Sequence, residues 1–343
     1  MMRALWAGCV MACLAMTGSL KAEEPEYTLL SFDELDGWES DDHDAALSTF
    51  LNTCSIFNDP EWSTVCGVAG SGLSGRQFFE LFFRPVLVED GDEMLFTGYF
   101  EPELSGSRVR TGQYRYPLYQ RPREARGRWL TRRQIEETGV LDGRNLEIVY
   151  VDDPVEVFFL QIQGSGRIRL TNGEVIRVGY GGANGHPYSS IGSELVRRGV
   201  YSRHQVSAQV IQNWVRRNPI DGAELLRHND SFVFFRELDI PAHLGPIGAM
   251  ARSITPMRTV AVDPEYTQLG APIWIEKAGA DPLNRLMVAQ DTGSAIKGAQ
   301  RADIFYGPGD DAGRAAGRIS DTGRMVVLMP IQLAYRLAPE TEE

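Results

Sequence analysis

The chain has 343 residues, 43% of them hydrophobic, with 35 glycines and a formal charge of −12. That length and apolar content suit a globular protein of two domains. So acidic a chain is repelled by nucleic-acid phosphates, which excludes DNA or RNA as a partner.

At the N-terminus, Arg3, the apolar run from Ala4 to Met16 and the small residue Ala22 read as an export signal over residues 1–22. The apolar run is too short to span a membrane. Val10-Met11-Ala12-Cys13 also fits a lipoprotein box, so the leader predicts either a cleaved, exported protein or a lipid-anchored one. Loss of the leader leaves Cys54 and Cys66, which in an oxidising compartment either pair or stay as buried thiols. The histidines are scattered and no Cys-x-x-Cys occurs, so no metal site is expected.

Residues 23–43 are acidic and weakly patterned and read as a surface leader. Leu47, Phe50, Leu51, Cys54 and Phe57 recur at helical spacing and predict a helix over 44–57; a second is expected over 76–83. Met94 to Phe100 is β-rich and stops at Glu101-Pro102. Val155 to Ile162 predicts a long strand, Gly164-Ser165-Gly166 a turn, and 167–170 and 175–178 a hairpin closed by Asn172-Gly173. Three helices should follow, with Ser202 and Asp221 in capping positions before Gln205 and Glu224, and Asn218-Pro219 as a stop. Beyond Ser231, strands are expected at 232–235, 259–262, 273–275, 286–289 and 325–329. Short strands at both ends, with a differently patterned section between, predict a β-barrel interrupted by an inserted domain.

The densest chemistry lies between Val288 and Gly309, where Asp291, Lys297 and Asp303 sit on a glycine-rich framework. Carboxyls presented this way suit acid/base work where a ligand approaches the backbone, or else cap ordinary turns. Asp291-Thr292-Gly293 and Asp321-Thr322-Gly323 imitate the aspartic-protease signature, but stand too close along the chain to occupy separate lobes. No Gly-x-Ser-x-Gly elbow supports a serine hydrolase. Asp291 and Asp303 could instead form the carboxyl pair of a glycoside hydrolase.

Several ordered segments then acquire a common meaning. Phe96-Thr97-Gly98-Tyr99-Phe100-Glu101-Pro102, Phe159-Leu160-Gln161-Ile162-Gln163-Gly164-Ser165-Gly166, Gly179 to His186, Tyr188 to Gly192, Ser231 to Phe235 and the stretch 288–309 resemble the membrane-bound lytic murein transglycosylase A family. The resemblance runs from about Phe96 to Met329. It implies a mainly β fold: a double-psi β-barrel assembled from both ends of the chain, 23–105 and 245–338, a second β-domain inserted at 106–244, and a few peripheral helices. It also implies a peptidoglycan glycan strand as partner, no cofactor, and a periplasmic location with outer-membrane association. The implied reaction is cleavage of the β-1,4 bond between N-acetylmuramic acid and N-acetylglucosamine, in which the muramic C6 hydroxyl closes a 1,6-anhydro ring. Asp303 would be the single catalytic acid and base, with Asp291 and Lys297 supporting it. Thr97, Tyr99, Gln161, Gln163, Ser165 and Asn184 would hold the glycan. Tyr99, Tyr306 and Trp274 either stack on sugars or belong to the core. A two-carboxylate hydrolase and a non-catalytic peptidoglycan-binding barrel are the rival readings.

Overall fold

The computed structural model describes residues 24–241 and 243–339, so the export leader and the lipid-box reading at Cys13 lie outside the described residues. Apolar runs assemble two β-sheets with helices packed against them. The first sheet has nine strands in the order Glu26–Leu29, Phe83–Glu89, Gly323–Pro330, Pro272–Lys277, Leu283–Asp291, Thr259–Val262, Arg301–Pro308, Leu95–Glu101 and Ser320–Asp321. Both ends of the chain therefore contribute. Arg301–Pro308 runs parallel to Leu95–Glu101, and Thr259–Val262 parallel to Leu283–Asp291, among otherwise antiparallel pairs. The strands Thr259–Val262 and Pro272–Lys277 are buried on both faces, which accounts for their unbroken apolar character. The second sheet has six strands, in the order Tyr116–Tyr119, Glu147–Val151, Glu103–Ser107, Ser165–Leu170, Val175–Ala183 and Val233–Leu238.

Helices His43–Cys54, Pro60–Val68 and Gly75–Phe82 cover one face of the first sheet. Each begins on a capping side chain: Asp42 accepts from Ala45 N–H, Asp59 from Glu61 and Trp62, and Ser74 forms a capping box with Gln77. They carry Phe50, Phe78 and Phe79 into a fully buried cluster with Phe83 and Trp274. Burying each such ring contributes about 1.5–3 kcal/mol, so this face anchors the sheet. Of the two readings for Cys54 and Cys66, the disulfide is the one formed, tying the first of these helices to the second.

Several expectations are corrected. Residues 24–43 are no loose leader: Glu26–Leu29 pairs with Phe83–Glu89, Leu35 and Trp38 are buried, and Trp38 packs edge-on against Trp274 at 5.1 Å. The apolar contacts that hold this segment lie far along the chain, where local pattern gives no sign of them. Val155 to Ile162 belongs to a helix, Pro154–Gln163, not a strand. Asp153 caps Val155 N–H at 2.8 Å, Pro154 occupies the first turn, and Gly164 ends the helix in a left-handed conformation at φ 75°. These start and stop signals outweighed the β-favouring Val and Phe between them. Gly164 is consequently a helix cap rather than a turn between strands. Asp221 lies inside the first turn of the helix Pro219–Leu226, which Asn218 starts, and Pro60–Val68 is a helix the apolar spacing did not reveal. The hairpin at Asn172-Gly173 forms as expected, with Gly173 at φ 86°.

Candidate active site

Sheet register brings the chemistry together. Thr97 is paired with Asp303, Asp303 with Ala261, and Ala261 with Asp291, across four neighbouring strands. Residues opposed in this way project from one face of a sheet, so the row delivers a hydroxyl and two carboxyls to the same side. Two strand spacings separate the aspartate backbones, about 10 Å. The alanine between them leaves the floor open. Ala261, Asp291 and Asp303 line a cavity of about 310 Å³ together with Gly98, Tyr99 and Arg301, and its far wall is built from Gln161, Gln163 and Ser231. Gly98 is required here: a Cβ would stand 2.7 Å from the Ala316 backbone and 2.9 Å from the Tyr306 ring.

The two carboxyls sit in different surroundings. Thr97 Oγ1 donates to Asp303 Oδ1 at 2.6 Å and itself accepts from Arg301 Nη2 at 2.8 Å. Arg301 takes one lone pair of the threonine oxygen while its hydrogen points to Asp303. Asp303 Oδ2 takes no hydrogen bond among the described residues. Asp291 has both oxygens occupied: Tyr99 Oη donates to Oδ2 at 2.9 Å, and the Ala249 and Thr292 N–H groups to Oδ1 at 3.1 and 3.0 Å. Burial pushes the Asp303 carboxyl above the usual carboxylate range, against the opposing pull of Thr97 and the Arg301 charge. Burial likewise pushes Asp291 up to about 6, its three donors opposing and the Asp303 charge adding to the rise. Tyr99 is driven well above its ordinary value by burial and by Asp291, and stays a neutral phenol.

The other candidates divide. Gln161 and Gln163 face the cavity, and Gln163 Oε1 accepts from Phe100 N–H at 3.0 Å. Lys297 is directed elsewhere: its ammonium pairs with Asp263 at 3.1 Å and Glu265 at 3.6 Å, and the charge that acts on Asp303 comes from Arg301. The lysine braces the loop before the Arg301–Pro308 strand, where Gly298 N–H also binds Asp263. Asn184 is fully buried and its amide is consumed by Leu130 O, Asp230 O and Phe232 N–H, so it knits three loops together rather than meeting a ligand. Ser165 begins the strand Ser165–Leu170 and is not among the residues lining the cavity. Trp274 is wholly buried in the core, and Tyr306 packs against the apolar core of the first sheet, half-buried. Among the described residues no cluster of metal-ligating side chains occurs.

Ala261, Arg301 as the partner of Thr97, and Ser231 as a cavity residue escaped the sequence reading. The Arg301-Ala302-Asp303 motif and the Ser231 to Phe235 stretch were the signals the sequence offered for two of them.

Asp291→Asn tests the difference between the carboxyls. Asparagine can keep the two backbone donors on its oxygen but meets Tyr99 with an amide, so activity should fall about tenfold, the worth of one disturbed hydrogen bond. Initial rates beside those of the Asp303 variant check the order; a larger loss at Asp291 with the fold intact would exchange the roles.

Comparison with known proteins identifies the family. Residues 95–236 match the MltA specific insert domain and residues 258–329 the 3D domain. A membrane-bound lytic murein transglycosylase A of Vibrio cholerae is 34% identical over 268 residues, covering 73% of this chain and 70% of that protein. The crystal structure of a membrane-bound lytic murein transglycosylase from Agrobacterium tumefaciens superposes with a TM-score of 0.83 at 31% identity, covering 91% of this chain and 99% of that one. Escherichia coli MltA with bound chitohexaose superposes at 0.72 with 27% identity, covering 89% and 94%. The chain belongs to the membrane-bound lytic murein transglycosylase A family and is a lytic murein transglycosylase, an enzyme of peptidoglycan.

Proposed function

We propose that the protein cleaves the β-1,4 bond between N-acetylmuramic acid and N-acetylglucosamine in peptidoglycan by a single-aspartate mechanism, leaving a 1,6-anhydromuramic end. The observation that carries this is the free Oδ2 of a buried Asp303 beside an Asp291 whose oxygens are all occupied. With Thr97 donating to Oδ1, the acid proton resides on Oδ2, the oxygen open to the cavity. Oδ2–H protonates the leaving glycosidic oxygen; the resulting carboxylate then takes the proton from the C6 hydroxyl as that oxygen attacks C1. The hydroxyl belongs to the substrate, so its effective concentration is high and no activated water is needed. Thr97, with Arg301 behind it, stabilises the carboxylate formed midway.

The glycan strand would lie in the groove over Ala261, and the chitohexaose bound by the Escherichia coli relative supports a glycan as the ligand. Supported by the mixed parallel and antiparallel pairings, we read the first sheet as the double-psi barrel assembled from 23–105 and 245–338, with 106–244 inserted. The relatives' membrane-bound character and the leader support an exported, envelope-associated protein, anchored through Cys13 or released after residue 22. Among the described residues no helix is long and apolar enough to cross a membrane.

Mass spectrometry of digested murein tests the reaction: anhydro ends are expected, and reducing ends would assign a hydrolase. The pH profile is a second test. Burial raises the Asp303 carboxyl above the usual carboxylate range, with Thr97 and the Arg301 charge opposing. Activity needs Asp303 protonated and should fall as pH rises through that raised pKa, without a steep acidic limb. A two-carboxylate hydrolase requires one ionised group and gives a bell; a bell with both limbs inside the folded range would overturn the single-acid mechanism.

A further inference from the structure

Arg132 is 3% exposed at the start of the helix Arg132–Thr138, its guanidinium stacked over Phe158 at 4.6 Å and Phe232 at 5.1 Å. One side of it lines the glycan groove, the other a second cavity of about 710 Å³ in the inserted part of the chain. It donates to Asn229 O at 3.1 Å, Ser231 O at 2.7 Å, Glu136 Oε1 at 3.4 Å and, closely, to Gln161 Oε1. Arginine has no acceptor, so the oxygen of Gln161 is the atom that faces it. The Nε2 group is then the end left to the groove, and among the described residues it meets no protein acceptor. Gln163 is tied back in the same sense, its oxygen taken by Phe100 N–H. The wall opposite the aspartates thus offers amide N–H donors.

We propose that Arg132 is a specificity-positioning residue: it holds Gln161 with its amide N–H groups toward the groove, where they read the acetamido carbonyl of an N-acetylated sugar. Wedged between two rings and pinned by two backbone carbonyls, the guanidinium cannot swing away, so Gln161 is ordered before the glycan arrives and binding is spared that cost. A sugar bearing a free amine presents a donor to these donors and is disfavoured. The proposal rests on the glycan-groove reading above.

The test is calorimetric binding of chitohexaose and of its de-N-acetylated counterpart to the intact protein, wild type, Gln161→Glu and Arg132→Lys. Wild type should prefer the acetylated hexamer. Glutamate preserves the partner of Arg132, hence the fold, but puts an acceptor where the donor stood. Its affinity for chitohexaose should fall about tenfold, one hydrogen bond's worth, with the preference moving toward the amine form. Lysine cannot serve four acceptors, so Arg132→Lys should narrow the preference about threefold or more while thermal unfolding still reports a folded protein. An unchanged preference in folded Gln161→Glu overturns the proposal, and so does an unchanged preference in folded Arg132→Lys, whichever of the two variants folds. Wild type that binds chitohexaose yet releases no anhydro ends from murein overturns the proposed reaction alone. Wild type that binds neither hexamer overturns this assignment together with the groove reading.

Discussion

Asp303→Asn should yield a folded protein that binds glycan but turns it over at least ~10³-fold more slowly, since one carboxyl performs both proton transfers. Asparagine keeps the shape and can still accept the Thr97 hydroxyl through Oδ1. What stands at the groove is then an amide, which can donate a hydrogen bond but cannot release a proton to the leaving oxygen. Stability should move the other way above the folded pKa of Asp303. The folded carboxyl titrates above its unfolded value of about 3.9, so it favours the folded state below that value, and this contribution is lost as pH rises through the folded pKa. Above its folded pKa the wild type holds a buried charge that asparagine does not carry, and there the variant should melt no lower. Initial rates of anhydro-end release and thermal unfolding, measured on the same preparation, decide it. Substantial turnover in the folded variant would remove Asp303 from the reaction.

Glu101→Ala should cost about 3–5 kcal/mol of stability, because it strands two cations around a buried site. Glu101 is 1% exposed at the end of the strand Leu95–Glu101, where the chain leaves the first sheet for the second. Its Oε2 accepts from Arg167 Nε at 2.9 Å and Arg177 Nη2 at 2.7 Å, and its Oε1 from Arg177 Nε at 3.0 Å. Both arginines belong to strands of the second sheet, so this one carboxylate clasps the two halves of the molecule. Phe100, its neighbour, holds Gln163 in the groove wall, so the variant should also lose affinity for glycan. Glu101→Gln keeps the shape and one acceptor and should cost less. Urea unfolding with a loss under about 1 kcal/mol for the alanine variant, within the range of an ordinary surface pair, would show that the cluster is not a clasp.

Features with local causes were readable in the chain. The hairpin at Asn172-Gly173 depends on Gly173, which takes the positive φ while Asn172 does not, and the helix from His43 depends on apolar spacing; both elements form where expected. The order of motifs from Phe96 to the stretch 288–309 pointed to the family, because several specific short stretches occur in one order. The helix Pro154–Gln163 was misread although Asp153-Pro154 and Gly164 bound it, since β-favouring side chains between the caps carried more weight than they deserve inside a buried helix. What only the tertiary structure decided is which residues meet. Thr97 reaches Asp303 across 206 positions and Tyr99 reaches Asp291 across 192, through strand register rather than proximity in the chain. Lys297, close to Asp303 along the chain, turns instead to Asp263, because a loop places its side chain by long-range charge and packing. Asn184 resembled a ligand-binding amide and proved a structural knot, since a buried amide must satisfy its hydrogen bonds wherever the fold supplies them. The types of residue needed for the chemistry were written in the sequence; their distances, protonation and freedom to act arise from burial and register, which exist only once the sheets have formed.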